Sequence, residues 1–416
     1  MRIFKFGGAS VKDVEAVKNV ARVLQHEGTA NTLVVISAMG KMTNKFEEII
    51  DAYIYKKDSL IEEIDFAKNF HQEIIDSLFT NTEDVSKNIS DIFVKLKSFM
   101  ANNTERDFSY IYDQIIGYGE LLSTTIVSFY LQEIGVTNTW LDVRELVKTD
   151  SFYRDAKVNW ELTQKNITEK VNTATLNITQ GFLGSNEQQK TTSLGREGSD
   201  YTAGVFAYCL DANSVTIWKD VEGVLNADPR VFEETELLEK ISYEEAIEMA
   251  FYGASVIHPK TIQPLEKKQI PLFVRSFEDL TKSGTKVSHG SGIYPIVPCF
   301  IVKKKQILVS ISAKDFSFMV EENISEVFRK LHEYKLKVNL IQNSAISFSV
   351  CIEDKYKNFS KFKNDLKGFF KIQSYENSTL YTIKHFDNNA IESIKQKGKS
   401  LIRQINTETA QLVIQE

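Results

Sequence analysis

Three polar clusters in the 416-residue chain have the residue types and spacing needed to handle anions. The first is Lys5-Phe6-Gly7-Gly8-Ala9-Ser10, where two glycines separate a strand end from a helix start. Such glycines let backbone N–H groups approach an anion, a helix N-terminus favours negative charge, and Lys5 adds a full cation. The second is TTSLGREGSDYTA, Thr191 to Ala203. Within it Arg196 can fork onto a carboxylate, Ser199 can cap both helix and ligand, and Asp200 opens an apolar helix. The third begins at Trp218 and runs through Lys219, Asp220 and Gly223 to Asn226-Ala227-Asp228-Pro229-Arg230, a loop after a strand. Each has an ordinary alternative: a Gly-Gly turn for the first, an N-cap Asp200 and a surface Arg196 for the second, and ordinary loop chemistry for the third.

The surrounding elements suit that chemistry. Arg2 to Phe6 alternates as a strand, and Gly7-Gly8 breaks it. Ser10 and Asp13 form an S-x-x-D capping box, Val14, Val17, Ala21 and Leu24 share one helical face, and Gly28 closes the helix. Thr32 to Ile36 is the continuous apolar run of a strand buried on both faces. Strand, loop, helix, strand is a βαβ unit, so the fold class is α/β with a largely parallel sheet. Residues 45–134 switch to helical spacing and read as a solvated layer beside that sheet. Strand patterns return at TNTWLDV, LNITQGFL, NSVTIWKDV and PLFVRSF.

All six prolines fall between Asp228 and Cys299, and the stretch 284–298 reads as the boundary between residues 1–290 and 300–416. Beyond it the pattern is β (306–312), α (320–335), β (337–342), β (346–353), α (355–368), β (370–375), a ferredoxin-like α+β order. Residues 378–416 add only β, α, β, an unfinished unit whose open edge calls for a partner strand, hence a homodimer in which 378–416 packs against the first α+β unit or its symmetry mate.

A formal charge of −6 gives no electrostatic reason to expect nucleic acid or a membrane surface. No apolar run approaches the roughly 18 residues of a membrane helix. Cys209, Cys299 and Cys351 form no CxxC pair, which suits a reduced, cytoplasmic setting. The six histidines lack metal-ligand spacing, and His258 before Pro259 reads as structural. Gly398-Lys399-Ser400 imitates the tail of a P-loop without its first glycine, and reads as a helix surface.

Four segments in order, KFGGAS, SLGREGSDYTA, WKDVEGVLNADPR and FYGASVIHPKTI, resemble the aspartate kinases of the amino-acid-kinase family. The resemblance implies an open αβα sandwich binding ATP on one half and aspartate on the other, followed by ACT regulatory domains. It implies that Lys5, Gly7 and Gly8 hold the transferring phosphates, and that Ser37, Thr43, Glu120, Arg196, Gly198 and Ser199 surround aspartate. Lys219, Asp220, Leu225, Arg230, Ser255 and Val256 would lie along the nucleotide, with Asp200 orienting the phosphate end and its Mg²⁺. Arg196 would take the α-carboxylate and Glu120 the ammonium. The product would be 4-phospho-L-aspartate, opening the route to lysine, threonine and methionine. A feedback effector, lysine or threonine, would meet Met319, Asn323, Ile324, Val338, Asn339, Gln342 and Asn343. Two positions depart from relatives: Ser255 stands where many have lysine, with Lys219 or Lys260 as substitute cations, and Leu225 replaces an aromatic residue. A kinase of another amino acid on the same fold and a catalytically silent amino-acid sensor are the rival readings.

Overall fold

The computed structural model describes residues 1–254, 257–315 and 317–415. It divides into two compact units, one of Met1–Val224, Leu237–Ile247 and Val256–Ile293, the other of Leu225–Glu236, Glu248–Ser255 and Tyr294–Glu416.

In the first unit the strand Arg2–Phe6 lies between Thr32–Ile36 and Ser214–Lys219, parallel to both. Leu176–Gln180 and then Asn138–Leu141 extend the parallel sheet on one side, and Leu272–Ser276 extends it on the other. Thr285–Ser288 is added antiparallel. The chain thus leaves Arg2–Phe6 toward one neighbour and returns later to the other, which opens a crevice beyond the strands' C-terminal ends. Thr32 to Ile36 is buried at every position, as a strand covered on both faces must be.

The first helix, Val14–Glu27, is capped by Asp13, whose side chain accepts the Ala16 N–H at 2.9 Å. Ser10 is not its cap: it sits in a separate 3₁₀ turn, Gly8–Val11, with its hydroxyl toward the Trp218 carbonyl at 3.4 Å. Helices Met42–Ile54, Leu60–Leu78, Glu83–Asn102, Phe108–Ile116 and Tyr118–Glu133 form the expected helical layer. Their apolar faces join Phe4, Val34 and Ile36 in one core through Phe46, Ile50, Ile75, Leu96 and Ile126. No helix among the described residues is long and apolar enough to cross a membrane.

The second unit holds a six-stranded antiparallel sheet in the order Lys337–Asn343, Ser347–Glu353, Cys299–Ala313, Phe370–Lys384, Thr409–Gln415, Lys399–Ile405. Helices Glu321–Glu333 and Phe359–Leu366 cover one half through Val327, Leu331 and Phe362, and Asn388–Lys395 covers the other through Ile391 and Ile394. The break expected at 375–378 falls inside the 15-residue strand Phe370–Lys384. Its second half pairs Leu380 with Lys303 and Lys384 with Cys299. Leu308, Leu340, Cys351, Leu380 and Val413 form one cluster spanning both halves, so the sheet is continuous where the sequence pattern suggested an unfinished unit. Leu225–Glu236 joins this unit because the Phe300 N–H donates to the Asn226 carbonyl at 2.7 Å and the Phe232 and Phe300 rings meet at 4.9 Å. Lys399 opens a strand, so the P-loop imitation is not a helix surface.

Candidate active site

Four pieces of the first unit converge on a cavity of about 380 Å³. From the central strand comes Lys5; from the loop after Thr32–Ile36 and the helix beyond it come Ser37 and Thr43. Helix Tyr118–Glu133 contributes Glu120, and the loop into helix Gly198–Cys209 contributes Arg196, Gly198, Ser199 and Asp200. Eight residues expected to touch substrate or phosphate therefore share one cavity wall.

Local geometry explains why the sequence there is glycine-rich. A Cβ at Gly8 would stand 2.7 Å from the Gly40 carbonyl oxygen, so only glycine lets the two loops cross, and the Gly40 N–H donates to Gly8 at 3.0 Å. Similarly, a Cβ at Gly181 would collide with Ser199 at 2.4 Å, which lets the helix Gly198–Cys209 start against the end of Leu176–Gln180. Three non-glycine residues on the wall, Arg154, Phe182 and Glu197, have left-handed backbone, with φ of 72°, 73° and 53°. Strain of that kind concentrates at functional sites.

Charges inside are arranged unequally. Lys5 Nζ lies 2.7 Å from Asp200 Oδ1, both side chains nearly buried. Asp200 is thus not the N-cap, since Glu197 holds that position without a side-chain cap bond, while Arg196 is exposed and lines the cavity. Glu120 is 3% exposed; its Oε1 accepts the Ala38 N–H at 3.4 Å and its Oε2 has no partner. Burial pushes the Glu120 carboxyl up to about 7. A buried carboxylate oxygen without a donor, facing a cavity, is prepared for a cationic ligand group.

Elsewhere the expected residues scatter. Lys219 ends the strand Ser214–Lys219, one residue past Trp218, which pairs with Phe6; it is in register with Ser276, and Asp220 follows it on an exposed bend. Leu225 and Arg230 belong to the second unit, where Arg230 is exposed and forks onto Asp228 at 2.7 Å. Ser255 and Val256 lie outside the described residues. Lys260 pairs with Asp155, and neither residue lines the cavity. His258 caps its helix, accepting the Lys260 N–H at 3.2 Å. Tyr112, Arg154, Phe182, Ser193 and Glu197 also line the cavity and were not expected there. Ser193 and Glu197 lie within TTSLGREGSDYTA without an expected role, whereas Tyr112 reads as a helix-core aromatic and Arg154 as a loop charge.

In the second unit, Met319 is buried and Ile324 and Val338 pack on the core. Asn323 accepts the Val320 N–H at 3.2 Å, capping its own helix. Asn339 bridges Lys303 and Gln306, each at 2.8 Å, while Gln342 and Asn343 are exposed on the edge strand.

A parallel sheet with an anion-handling crevice at its switch point and a buried Lys–Asp pair inside it defines a phosphotransferase class, and residues 1–276 match the model of the amino acid kinase family. The chain belongs to that family and, within it, to the aspartokinases. It is 31% identical over 360 residues to lysine-sensitive aspartokinase 3 of Escherichia coli, covering 84% of this chain and 78% of that protein. It is 30% identical to the bifunctional aspartokinase/homoserine dehydrogenase of Buchnera aphidicola, where it spans 88% of this chain but 47% of that longer protein. Escherichia coli aspartokinase III solved with lysine and aspartate superposes with a TM-score of 0.83 at 25% identity, over 100% of this chain and 96% of that one. The same enzyme with aspartate and ADP gives 0.77, again over 100% and 96% at 25% identity.

Proposed function

We propose that the cavity of the first unit is where an aspartate kinase binds its amino acid and receives the phosphoryl group of ATP. The enzyme phosphorylates the side-chain carboxylate of L-aspartate in amino-acid biosynthesis, with ATP as co-substrate. One observation carries the assignment to this cavity: a buried Lys5–Asp200 pair, the unpartnered Glu120 oxygen and Arg196 all open onto it. Glu120 takes the substrate ammonium, and Arg196 grips the α-carboxylate with its planar fork. Ser37, Thr43, Gly198 and Ser199 complete the polar wall.

That orientation turns the β-carboxylate toward Lys5 and the Gly7-Gly8 turn. A carboxylate oxygen attacks the γ-phosphorus, the new O–P bond forms, and the bond to the β,γ-bridging oxygen breaks as ADP leaves. Two anions must meet, so positioning and charge neutralisation supply the catalysis and no covalent enzyme intermediate is needed. Lys5 meets the transferring group, Gly7 and Gly8 present backbone N–H groups, and Lys219 and Asp220 stand at the neighbouring strand end for the nucleotide. Among the described residues no three His, Cys, Asp or Glu gather as a metal cage. Mg²⁺, which keeps waters and phosphate oxygens as ligands, suits a single carboxylate instead, and Asp200 is the one that would hold it. When bound, that ion neutralises phosphate oxygens.

For regulation, the reading places a feedback amino acid, lysine or threonine, at the segments 317–324 and 338–343, and pairs two copies through the Lys337–Asn343 edge. The enzyme acts in the cytoplasm. Incubation with ATP, Mg²⁺ and a panel of amino acids, trapping acyl phosphate with hydroxylamine, tests the catalytic reading. Hydroxamate should form with L-aspartate; none with aspartate at millimolar concentrations would sink it, and a preference for glutamate would favour the rival kinase.

A further inference from the structure

Two guanidiniums line the cavity, Arg196 and Arg154, and the second has no role in the reading above. Arg154 stands in the left-handed region at φ 72°, a conformation that costs a bulky residue on the order of 1 kcal/mol or more and needs support. Support comes from Asp113, a fully buried carboxylate. Asp113 accepts the Arg154 backbone N–H at 2.9 Å, the Ser193 N–H at 2.8 Å and the Ser193 hydroxyl at 2.6 Å. It therefore ties the Arg154 loop to a residue of the cavity wall.

The side chain is held as firmly. Its guanidinium lies over the Tyr112 ring at 4.4 Å and the Phe108 ring at 5.3 Å. Stacking on an aromatic face fixes the plane of the fork while leaving N–H edges free to donate. Among the described residues no carboxylate pairs with it. Lys5 is already matched by Asp200, so the cations left open on the wall are these two arginines. Aspartate brings two carboxylates.

We propose that Arg154 is a second carboxylate contact of the substrate site, dividing with Arg196 the two carboxylates of a short dicarboxylic amino acid. This rests on aspartate occupying the cavity. Arg154 so becomes a specificity determinant: a monocarboxylic amino acid leaves one stacked guanidinium without an anion. The alternative is a wall residue that only braces Tyr112.

The test compares Arg154→Gln, Arg154→Lys and Arg196→Gln in the full chain, measuring KM for aspartate and for ATP, kcat and melting temperature. L-alanine and β-alanine, each lacking one carboxylate of aspartate, serve as competitive probes. Arg154→Gln should raise the aspartate KM by about tenfold, the loss expected for one charge-assisted pair, with the ATP KM within about twofold. Arg154→Lys should recover part of it, and one probe alone should bind Arg154→Gln as well as wild type. An unchanged aspartate KM in Arg154→Gln overturns the proposal, as do parallel losses in ATP KM and melting temperature, which mean a brace. If Arg196→Gln and Glu120→Gln also leave the aspartate KM unmoved, the occupancy of the cavity is wrong as well.

Discussion

Buried polar side chains behave differently in the two units. In the sheet of the second unit they satisfy one another: Gln306 accepts from Asn339 at 2.8 Å, Gln411 donates to Thr382 at 3.1 Å, and the Ser378 hydroxyl donates to Tyr375 at 3.2 Å. Around the cavity of the first unit they are left over. Glu120 has an oxygen without a donor, and on the same cavity wall the exposed Arg154 and Arg196 have no carboxylate among the described residues. A satisfied buried group stabilises the fold, whereas an unsatisfied one at a cavity is held ready for a ligand at some cost in stability.

The Lys5–Asp200 pair joins both behaviours, and breaking it should give the largest effect. Lys5→Met should lower kcat by about 10²- to 10³-fold, the scale for one lost electrostatic contact to the transition state. It should also lower the melting temperature, because Asp200 is left buried without its cation. The double variant Lys5→Met/Asp200→Leu separates the two roles. Melting should return toward wild type while activity stays lost. Recovery of activity in the double variant would show that the pair only supports the fold.

Glu120 sharpens the contrast by titration. Its carboxyl sits at about 7 because burial disfavours the charged form. Ammonium binding needs the carboxylate, so kcat/KM for aspartate should fall as pH drops below about 7, and Glu120→Gln should be poor throughout and flat across that range. The stability sign is opposite. Between the unfolded value near 4.5 and the folded value near 7, the native state binds more protons than the unfolded one. Wild-type stability therefore declines as pH rises through that window, and Glu120→Gln should melt higher than wild type at pH 8 without ligand. A variant that melts lower would make Glu120 a structural residue.

Much of this organisation was legible in residue patterns. The βαβ start is local: alternation, glycines, an apolar run and a closing Gly28 each act within a few residues, and the structure keeps them. The long strands of the second unit were cut short because their pairing is not local. Lys303, Lys304 and Lys305 interrupt the apolar pattern, yet the strand Cys299–Ala313 continues through them with register shifts near Gln306. In the cavity, most residues carried by motifs were found, whereas Tyr112 and Arg154, placed by tertiary contact, were not. Arg154 is aimed by Asp113, 41 positions away, and no pattern around either residue announces it.

The two edges of the six-stranded sheet allow a smaller test. Along Lys337–Asn343, Ile341 is 43% exposed; Ile346, five residues on, is exposed too, as is Phe318, whose neighbour Met319 donates its N–H to the Ala345 carbonyl at 3.0 Å. The opposite edge, Lys399–Ile405, carries Lys399 and Arg403, charges that discourage strand pairing. If two copies pair along the first edge as proposed, Ile341→Lys should shift sedimentation from dimer to monomer and weaken any response to lysine or threonine, while Arg403→Ala changes neither. An unaltered mass for Ile341→Lys would place the contact between copies elsewhere.

His71 puts the rule itself at risk. Its Nε2 is buried without a partner, as the Glu120 oxygen is, but it lies in the helical layer far from any cavity residue in sequence, edged against Phe70 and Phe93. Only Nδ1 is engaged, 2.6 Å from the Ala67 carbonyl. Burial pushes the imidazole down to about 4, so the native state excludes a proton that the unfolded chain takes up near 6.5. Stability should therefore fall as pH drops from about 6.5 toward 4, by at most on the order of 3 kcal/mol if the shift is expressed in full. His71→Leu should remove that slope and shift melting by only a few degrees at pH 8, on the scale of about 1 kcal/mol, with aspartate KM and kcat unchanged. An unpartnered buried atom marks a ligand site only where it faces open volume. A fall in aspartate affinity in His71→Leu, with melting intact, would show that this histidine too is coupled to the cavity.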